Sequence, residues 1–296
     1  VSTLIAENPE LLGTLEPYQK FALSCGNVKK LQAMLTLAAG RRTIDEEQLD
    51  ADPNLFNVQN GTIDMRTQQL LPHDRAHRIT KLATVTYDPN ARPEVWDAHL
   101  ERVFAGNKDL IGYLGRWAGY CLTGNIDARA FAVLYGSGCN GKSVTVEALA
   151  NLMGDYACHS DPSTFEERQF GGAIRNDLAR LRGVRMVVSS ETSLGTRFDA
   201  SLLKRLTGGE KITARFLHQE NFDFLPNFKL VLTTNNKPDL PGNDPAIWSR
   251  TKLIPFDIVI PAEEIDPALG MKLKSPENKS AILNWQLKGY AEYLKG

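Results

Sequence analysis

A chain of 296 residues with 42% hydrophobic and 23% charged side chains is the size of one large domain or two smaller ones, with enough apolar material for a normal core. Its formal net charge of -1 and isoelectric point near 6.6 exclude the basic footprint of a typical duplex-binding domain, while leaving room for a ring that multiplies a few contacts per subunit. No apolar run is long enough for a membrane span and the first residues lack the basic start of a secretory signal, so the expected setting is the cytoplasm, with no membrane partner. Cys25, Cys121, Cys139 and Cys158 are scattered without C-x-x-C spacing, which reads as free thiols with neither a zinc site nor a disulfide framework. The first residue is not Met, from which the expectation is a piece of a longer protein.

In chain order, Val28, Leu31, Leu35 and Ala38 make a helical stripe with Asn27 as cap and Gly40 as stop, and Thr43 with Glu46 spells a capping box for another short helix. Leu55 to Val58, the turn Asn60-Gly61 and Thr62 to Met65 read as a hairpin. Ala83, Val85 and Tyr87 alternate as a half-exposed strand, and the turn from Asp88 to Pro93 marks the expected boundary between an α+β accessory or collar domain, 1–92, and a larger domain, 93–296. Two helices follow, one with the stripe Trp96, Leu100, Val103, Phe104 and one with Leu110, Leu114, Trp117; His99 among them reads as a packed or surface histidine rather than a ligand.

Phe131 to Tyr135 is then a buried strand, and Gly136-Ser137-Gly138-Cys139-Asn140-Gly141-Lys142-Ser143 fits G-x-x-x-x-G-K-[ST]. A helix with Val144, Ala148, Leu149 and Leu152 on one face begins at once and stops at Gly154. Glycines at 136, 138 and 141 let the backbone turn tightly and aim N–H groups inward, where the positive end of the new helix helps them wrap a triphosphate. Lys142 would reach the β- and γ-phosphates and the Ser143 hydroxyl would ligate Mg2+.

Beyond the loop, strand and helix signals alternate as in an α/β nucleotide-binding domain. Gly183 to Glu191 is a strand ending in an acid, and Glu191 is placed to hold Mg2+ or polarise the attacking water. Asp199 to Leu206 is a helix ended by Gly208-Gly209; Ile212 to Phe216 and Phe222 to Phe224 are two strands joined at a polar tip, with Phe216, Phe222 and Phe224 expected in the core. Phe228 to Thr234 is a further buried strand, after which a polar group at the Asn235-Asn236 turn would hold the water or the γ-phosphate. Ile247 to Arg250 leads into an apolar strand at 253–260, and Leu283, Leu287, Tyr290 and Leu294 share one face of a closing helix. Asn236-Lys237-Pro238-Asp239 also fits N-K-x-D, a guanine-reading motif, but Glu191 to Gly195 lacks the D-x-x-G that a GTPase needs, which leaves GTPase the minority reading.

Loop, acidic strand end, hairpin, asparagine strand end and arginine, all between Gly136 and Arg250, resemble the motif set of superfamily 3 helicases. More narrowly, Asn57 to Asp64, Gly136 to Ser143, Leu203 to Glu210, Thr234-Asn235 and Ala246 to Arg250 resemble the C-terminal helicase part of phage and plasmid primase-helicases. The resemblance implies an AAA+-like P-loop NTPase with three layers, using ATP and Mg2+, self-associating as a hexameric ring on single-stranded DNA, with a primase domain often upstream in such proteins. It makes Lys142 and Ser143 the phosphate and metal contacts, Glu191 the catalytic acid, Asn235 the γ-phosphate sensor and Arg250 an arginine finger supplied in trans. Ser190 stands where many members carry a second acid, and Ser249 where many carry a second arginine. Lys211, Arg215 and His218, with Lys204 a weaker candidate, match the channel hairpin; without an aromatic platform legible at the tip, phosphate contacts with little base preference are expected. An ATP-switched initiator or scaffold that binds DNA without unwinding it needs the same nucleotide site.

Overall fold

The computed structural model describes residues 12–41, 44–167, 176–190, 197–217, 219–236 and 244–296. The chain divides into two units, Val1–Leu49 and Asp50–Gly296. In the first, helix α1 (Leu12–Cys25) is followed by α2 (Val28–Arg41). Asn27 starts α2 as its sequence indicates, its side chain accepting from the Lys29 N–H at 3.0 Å. Thr43 lies outside the described residues, and Glu46–Gln48 forms one 3-10 turn.

The second unit opens with an antiparallel meander of β1 (Leu55–Val58), β2 (Gly61–Asp64) and β3 (Gln69–Leu71). The Asn60-Gly61 turn fixes the register from Val58 opposite Gly61 to Leu55 opposite Asp64. The expected strand at Ala83 to Tyr87 is instead an extended segment. Ala83 donates to Asn57 O and Gln59 donates to Val85 O, both at 2.9 Å, but Thr84 between them turns its N–H to Leu152 O at 3.0 Å, which diverts the segment from the sheet.

Helices α3 (Glu94–Val103) and α4 (Lys108–Cys121) lead to β4 (Phe131–Tyr135), α5 (Lys142–Met153), β5 (Ala157–Ser160), the single turn α6 (Asn176–Ala179) and β6 (Met186–Ser190). Next come α7 (Ala200–Gly208), the hairpin of β7 (Ile212–Ala214) and β8 (Phe222–Phe224), and β9 (Lys229–Thr234). The unit ends with α8 (Pro245–Arg250), β10 (Thr251–Pro255), α9 (Leu269–Leu273) and α10 (Pro276–Tyr293). Five strands form one parallel sheet in the order β10-β4-β9-β6-β5. The inner strands β4, β9 and β6 are buried almost end to end, whereas the edge strands β10 and β5 carry exposed positions, as a sheet covered on both faces requires.

Side chains of one strand alternate between two cores. Ala132 and Leu134 of β4 join α3, α4, α5, α10 and the meander in one cluster; Phe131 and Val133 join α7, α8, Ile212 and Phe224 in the other. Helices α4 and α10 approach so closely that a Cβ on Gly119 would lie 2.3 Å from Gln286 O, and one on Gly289 2.1 Å from Gly115 O.

The boundary expected near residue 92 falls inside the second unit. Phe56, Val58, Ile63 and Met65 of the meander share the first core with β4 and α5. Arg185, 5% exposed, donates to Leu55 O at 2.7 Å and also to Leu122 O, while the Tyr156 hydroxyl accepts from the Asn57 N–H at 3.1 Å. These ties join meander and sheet into one body.

Candidate functional site

Strand register sets the site. Tyr135 of β4 lies level with Thr234 of β9, and Ser190 of β6 with Thr233, so three strands finish together where the glycine loop begins. Strand β9 stands between the loop strand and β6, which brings Asn235 to the centre of that edge. The loop is stitched down on both sides: Gly136 N–H donates to Thr234 O at 3.3 Å, and after β10 the Ile260 N–H donates to Cys139 O at 2.8 Å. A side chain at Gly136 would not fit, since its Cβ would fall 2.1 Å from Phe256 O. Gly141 starts α5 with φ +81, a left-handed conformation that favours glycine.

Loop and strand ends enclose a cleft of about 420 Å³ that Asn140, Lys142, Ser143, Ser190, Thr234 and Asn235 help to line. Ser143, Ser190 and Asn235 are exposed within it. Lys142 is 6% exposed and folds back onto its own loop, its Nζ donating to Gly136 O and, at 3.0 Å, to Asn140 Oδ1. Burial lowers its pKa. Asn140 in turn donates to Ser137 O at 2.8 Å and Phe256 O at 3.0 Å, so the loop holds its shape through a side chain that the motif leaves unspecified. The structure therefore brings Lys142, Ser143 and Asn235 together. Glu191 directly follows Ser190 but lies outside the described residues, as do His218 and Lys237 to Asp239 of the N-K-x-D match.

On the other side of the loop, Cys139, Gly141 and Val144 also line a mostly apolar cavity of about 600 Å³, closed by Val95 and His99 of α3 and by Ile260, Ile265 and Leu269. His99 supports the loop helix. Thr145 donates its hydroxyl proton to Gly141 O at 2.9 Å, so the 2.8 Å contact between His99 Nε2 and Thr145 Oγ1 is a bond that His99 donates. Burial pushes the His99 pKa down to about 4, keeping the ring neutral at ordinary pH. The sequence reading of a packed histidine agrees with its 6% exposure but missed this role, which depends on a contact 46 residues away.

Arg250 is elsewhere. It precedes Thr251, which pairs with Phe131 at the amino end of β4, and its guanidinium donates to Arg129 O at 3.4 Å. The five residues of β10 separate it from the loop end of the sheet by about 16 Å. Lys204 is held by Asp244 at 2.7 Å, a bond that lowers the Asp244 pKa and ties α7 to the first turn of α8. Lys211 and Arg215 are exposed on the hairpin. Of the three phenylalanines expected in the core there, Phe224 is buried and Phe222 partly so, but Phe216 is 41% exposed, because the strand pairing ends at Ala214 and Phe222 and the tip rises beyond the core. Among the described residues, no helix is long and apolar enough to cross a membrane.

Comparison with known proteins agrees with this architecture. A family described as "D5 N terminal like" matches residues 7–105, and a "Family of unknown function (DUF5906)" matches residues 134–250, from the loop strand to Arg250. A protein named "Putative helicase" from Acanthamoeba polyphaga mimivirus is 34% identical over 70% of this chain, and another from Invertebrate iridescent virus 3 is 30% identical over 74%. A "Putative primase" of African swine fever virus is 26% identical over 70%. The chain spans 22%, 24% and 22% of the lengths of these three relatives. Among solved structures, the apo form of the NrS-1 C terminal region covers 70% of this chain and 48% of its own, with a TM-score of 0.53 at 12% identity, a likeness of fold. The chain is thus homologous, over about 70% of its length, to proteins of large DNA viruses named as putative helicases and primases, and it carries a D5 N terminal like segment.

Proposed function

We propose that this chain is the ATP-hydrolysing motor of a replicative DNA helicase, of the AAA+-like P-loop class, working as a ring on single-stranded DNA. The observation that carries the reading is the glycine loop at the carboxyl edge of a parallel sheet, with Lys142, Ser143 and Asn235 around one cleft. A triphosphate suits this cleft, because the start of α5 and Lys142 supply positive potential and no carboxylate is among the described lining residues. Lys142 exchanges Gly136 O and Asn140 Oδ1 for phosphate oxygens. The apolar cavity beside Val144 and His99 suits the flat face of a nucleobase.

Ser143 would hold Mg2+ through a neutral oxygen, and the ion would neutralise phosphate charge. Asn235 orients the γ-phosphate or the attacking water. Glu191 takes the proton as the water oxygen bonds to the γ-phosphorus and the bridging bond to ADP breaks. Arg250 stands far from the cleft of its own chain, which supports its acting on a neighbour's nucleotide as a finger across a subunit boundary. Names of the viral relatives support a role in replication.

Steady-state ATPase and GTPase rates, with and without single-stranded DNA, test the reading. ATPase stimulated by DNA is the expected result; GTP preference indifferent to DNA contradicts it. Strand separation on a forked duplex divides the motor from an initiator that only binds and switches.

A further inference from the structure

The hairpin tip carries a feature that its polar sequence conceals. In the β7–β8 register Ile212 faces Phe224 and Ala214 faces Phe222; Ile212, Ala214 and Phe224 are buried in the second core. Just past the last pair, the exposed Phe216 ring stacks on Phe222 with centroids 5.5 Å apart and planes 24° from parallel. Phe222 is itself anchored, since it packs against the second core and the Arg182 guanidinium lies 5.2 Å from its ring centroid. Phe216 is therefore a positioned aromatic surface open to solvent. Lys211 and Arg215 are exposed on the same hairpin. Three acids of the same hairpin, Glu210, Glu220 and Asp223, are exposed as well; Glu210 pairs with Arg205 at 3.7 Å and Asp223 accepts from the Thr213 hydroxyl at 2.6 Å.

The geometry points to Phe216 as a base-stacking platform for single-stranded nucleic acid, with Lys211 and Arg215 on the adjoining phosphates. The inference deepens the motor reading and rests on it in one respect, that the hairpin meets the strand. A phenyl ring has no hydrogen-bonding edge, so it takes any base by its π-face, and a base already stacked within a duplex has no face to offer. An apolar protein partner would fit the ring but would have no need of the two cations. The platform adds base stacking to the expected phosphate contacts.

The test compares a labelled oligo-dT with an abasic deoxyribose-phosphate oligomer of equal length, by fluorescence anisotropy on the full chain. Wild type should prefer oligo-dT, and Phe216→Ala should lose about 5- to 100-fold in affinity for oligo-dT while leaving the abasic affinity in place. Phe216→Trp should keep the preference, its fluorescence quenched by oligo-dT and not by the abasic chain. Arg215→Ala should weaken both and make the salt dependence shallower by about one ion. Equal effects of Phe216→Ala on the two oligomers overturn the platform while leaving the motor reading intact; failure of wild type to bind either overturns both. A Phe216→Ala protein whose self-association changes while its oligo-dT affinity stays the same assigns the ring to a protein contact and also overturns the platform.

Discussion

At the carboxyl end of the sheet Lys142 is buried against two acceptors of its own loop, Gly136 O and Asn140 Oδ1. At the amino end Arg185 and Lys229 are buried more deeply, and their acceptors lie far away in sequence. Arg185 reaches carbonyls 63 and 130 residues distant, and Lys229 donates to Thr123 O and Asn125 O while lying over the Tyr120 ring. A cation whose partners are local can exchange them for phosphate while the fold stays put; one that bridges distant segments cannot leave without separating them. On the proposed reading, one end of the sheet serves exchange and the other holds the fold.

Breaking the exchange end should give the largest effect. Lys142→Ala should lower the hydrolysis rate about 100- to 1,000-fold while moving the urea midpoint little, since its bonds stay within the loop. Breaking the holding end should reverse that pattern. Arg185→Ala leaves Leu55 O and Leu122 O unpaired in the core and should destabilise the chain by about 3 kcal/mol by urea unfolding, with hydrolysis per folded molecule retained. A loss below about 1 kcal/mol would show that the meander is not held by Arg185.

The pH dependence of stability sharpens the same contrast. Burial pushes the Lys229 pKa down to about 7, against about 10.5 for a free lysine. Between those values the unfolded chain binds more protons than the folded one, so stability rises with pH. Burial pushes the Cys121 thiol up to about 12, which opposes the rise above the ordinary thiol range and leaves pH 7 to 9 as the clear window for Lys229. The wild-type urea midpoint should climb across that window, by at most about 1.4 kcal/mol per pH unit, and Lys229→Met should flatten the climb. The smallest effect belongs to His99. Its folded pKa near 4 lies below the ordinary 6.5, so stability falls as pH drops from 6.5 to 4. His99→Leu should remove that acid sensitivity and cost about 1 kcal/mol for the bond to Thr145.

What the sequence made legible follows the range of the interactions. The glycine loop, its strand and its helix were readable because motif, turn and periodicity all lie within Phe131–Met153. The β7–β8 hairpin was equally local. The meander's attachment was not, because it depends on Arg185 and on Tyr156, whose hydroxyl meets an N–H 99 residues away. Thr84 broke an alternation that reads as a strand by bonding to the end of α5. Phe216 was expected in the core because aromatic spacing does not reveal where strand pairing stops. The level strand ends and the position of β9 beside β4 were likewise invisible, and they are what place Asn235 beside Lys142.

On the proposed reading, the cleft around Lys142 is an ATP site completed by Arg250 of a neighbouring copy. Mixing Arg250→Ala protein with Lys142→Ala protein tests it most directly, because a mixed boundary can pair an intact loop with an intact arginine. Each variant alone should be nearly inactive, and the co-assembled mixture should recover part of the wild-type ATPase rate. Two inactive variants that co-assemble without any recovery would contradict it.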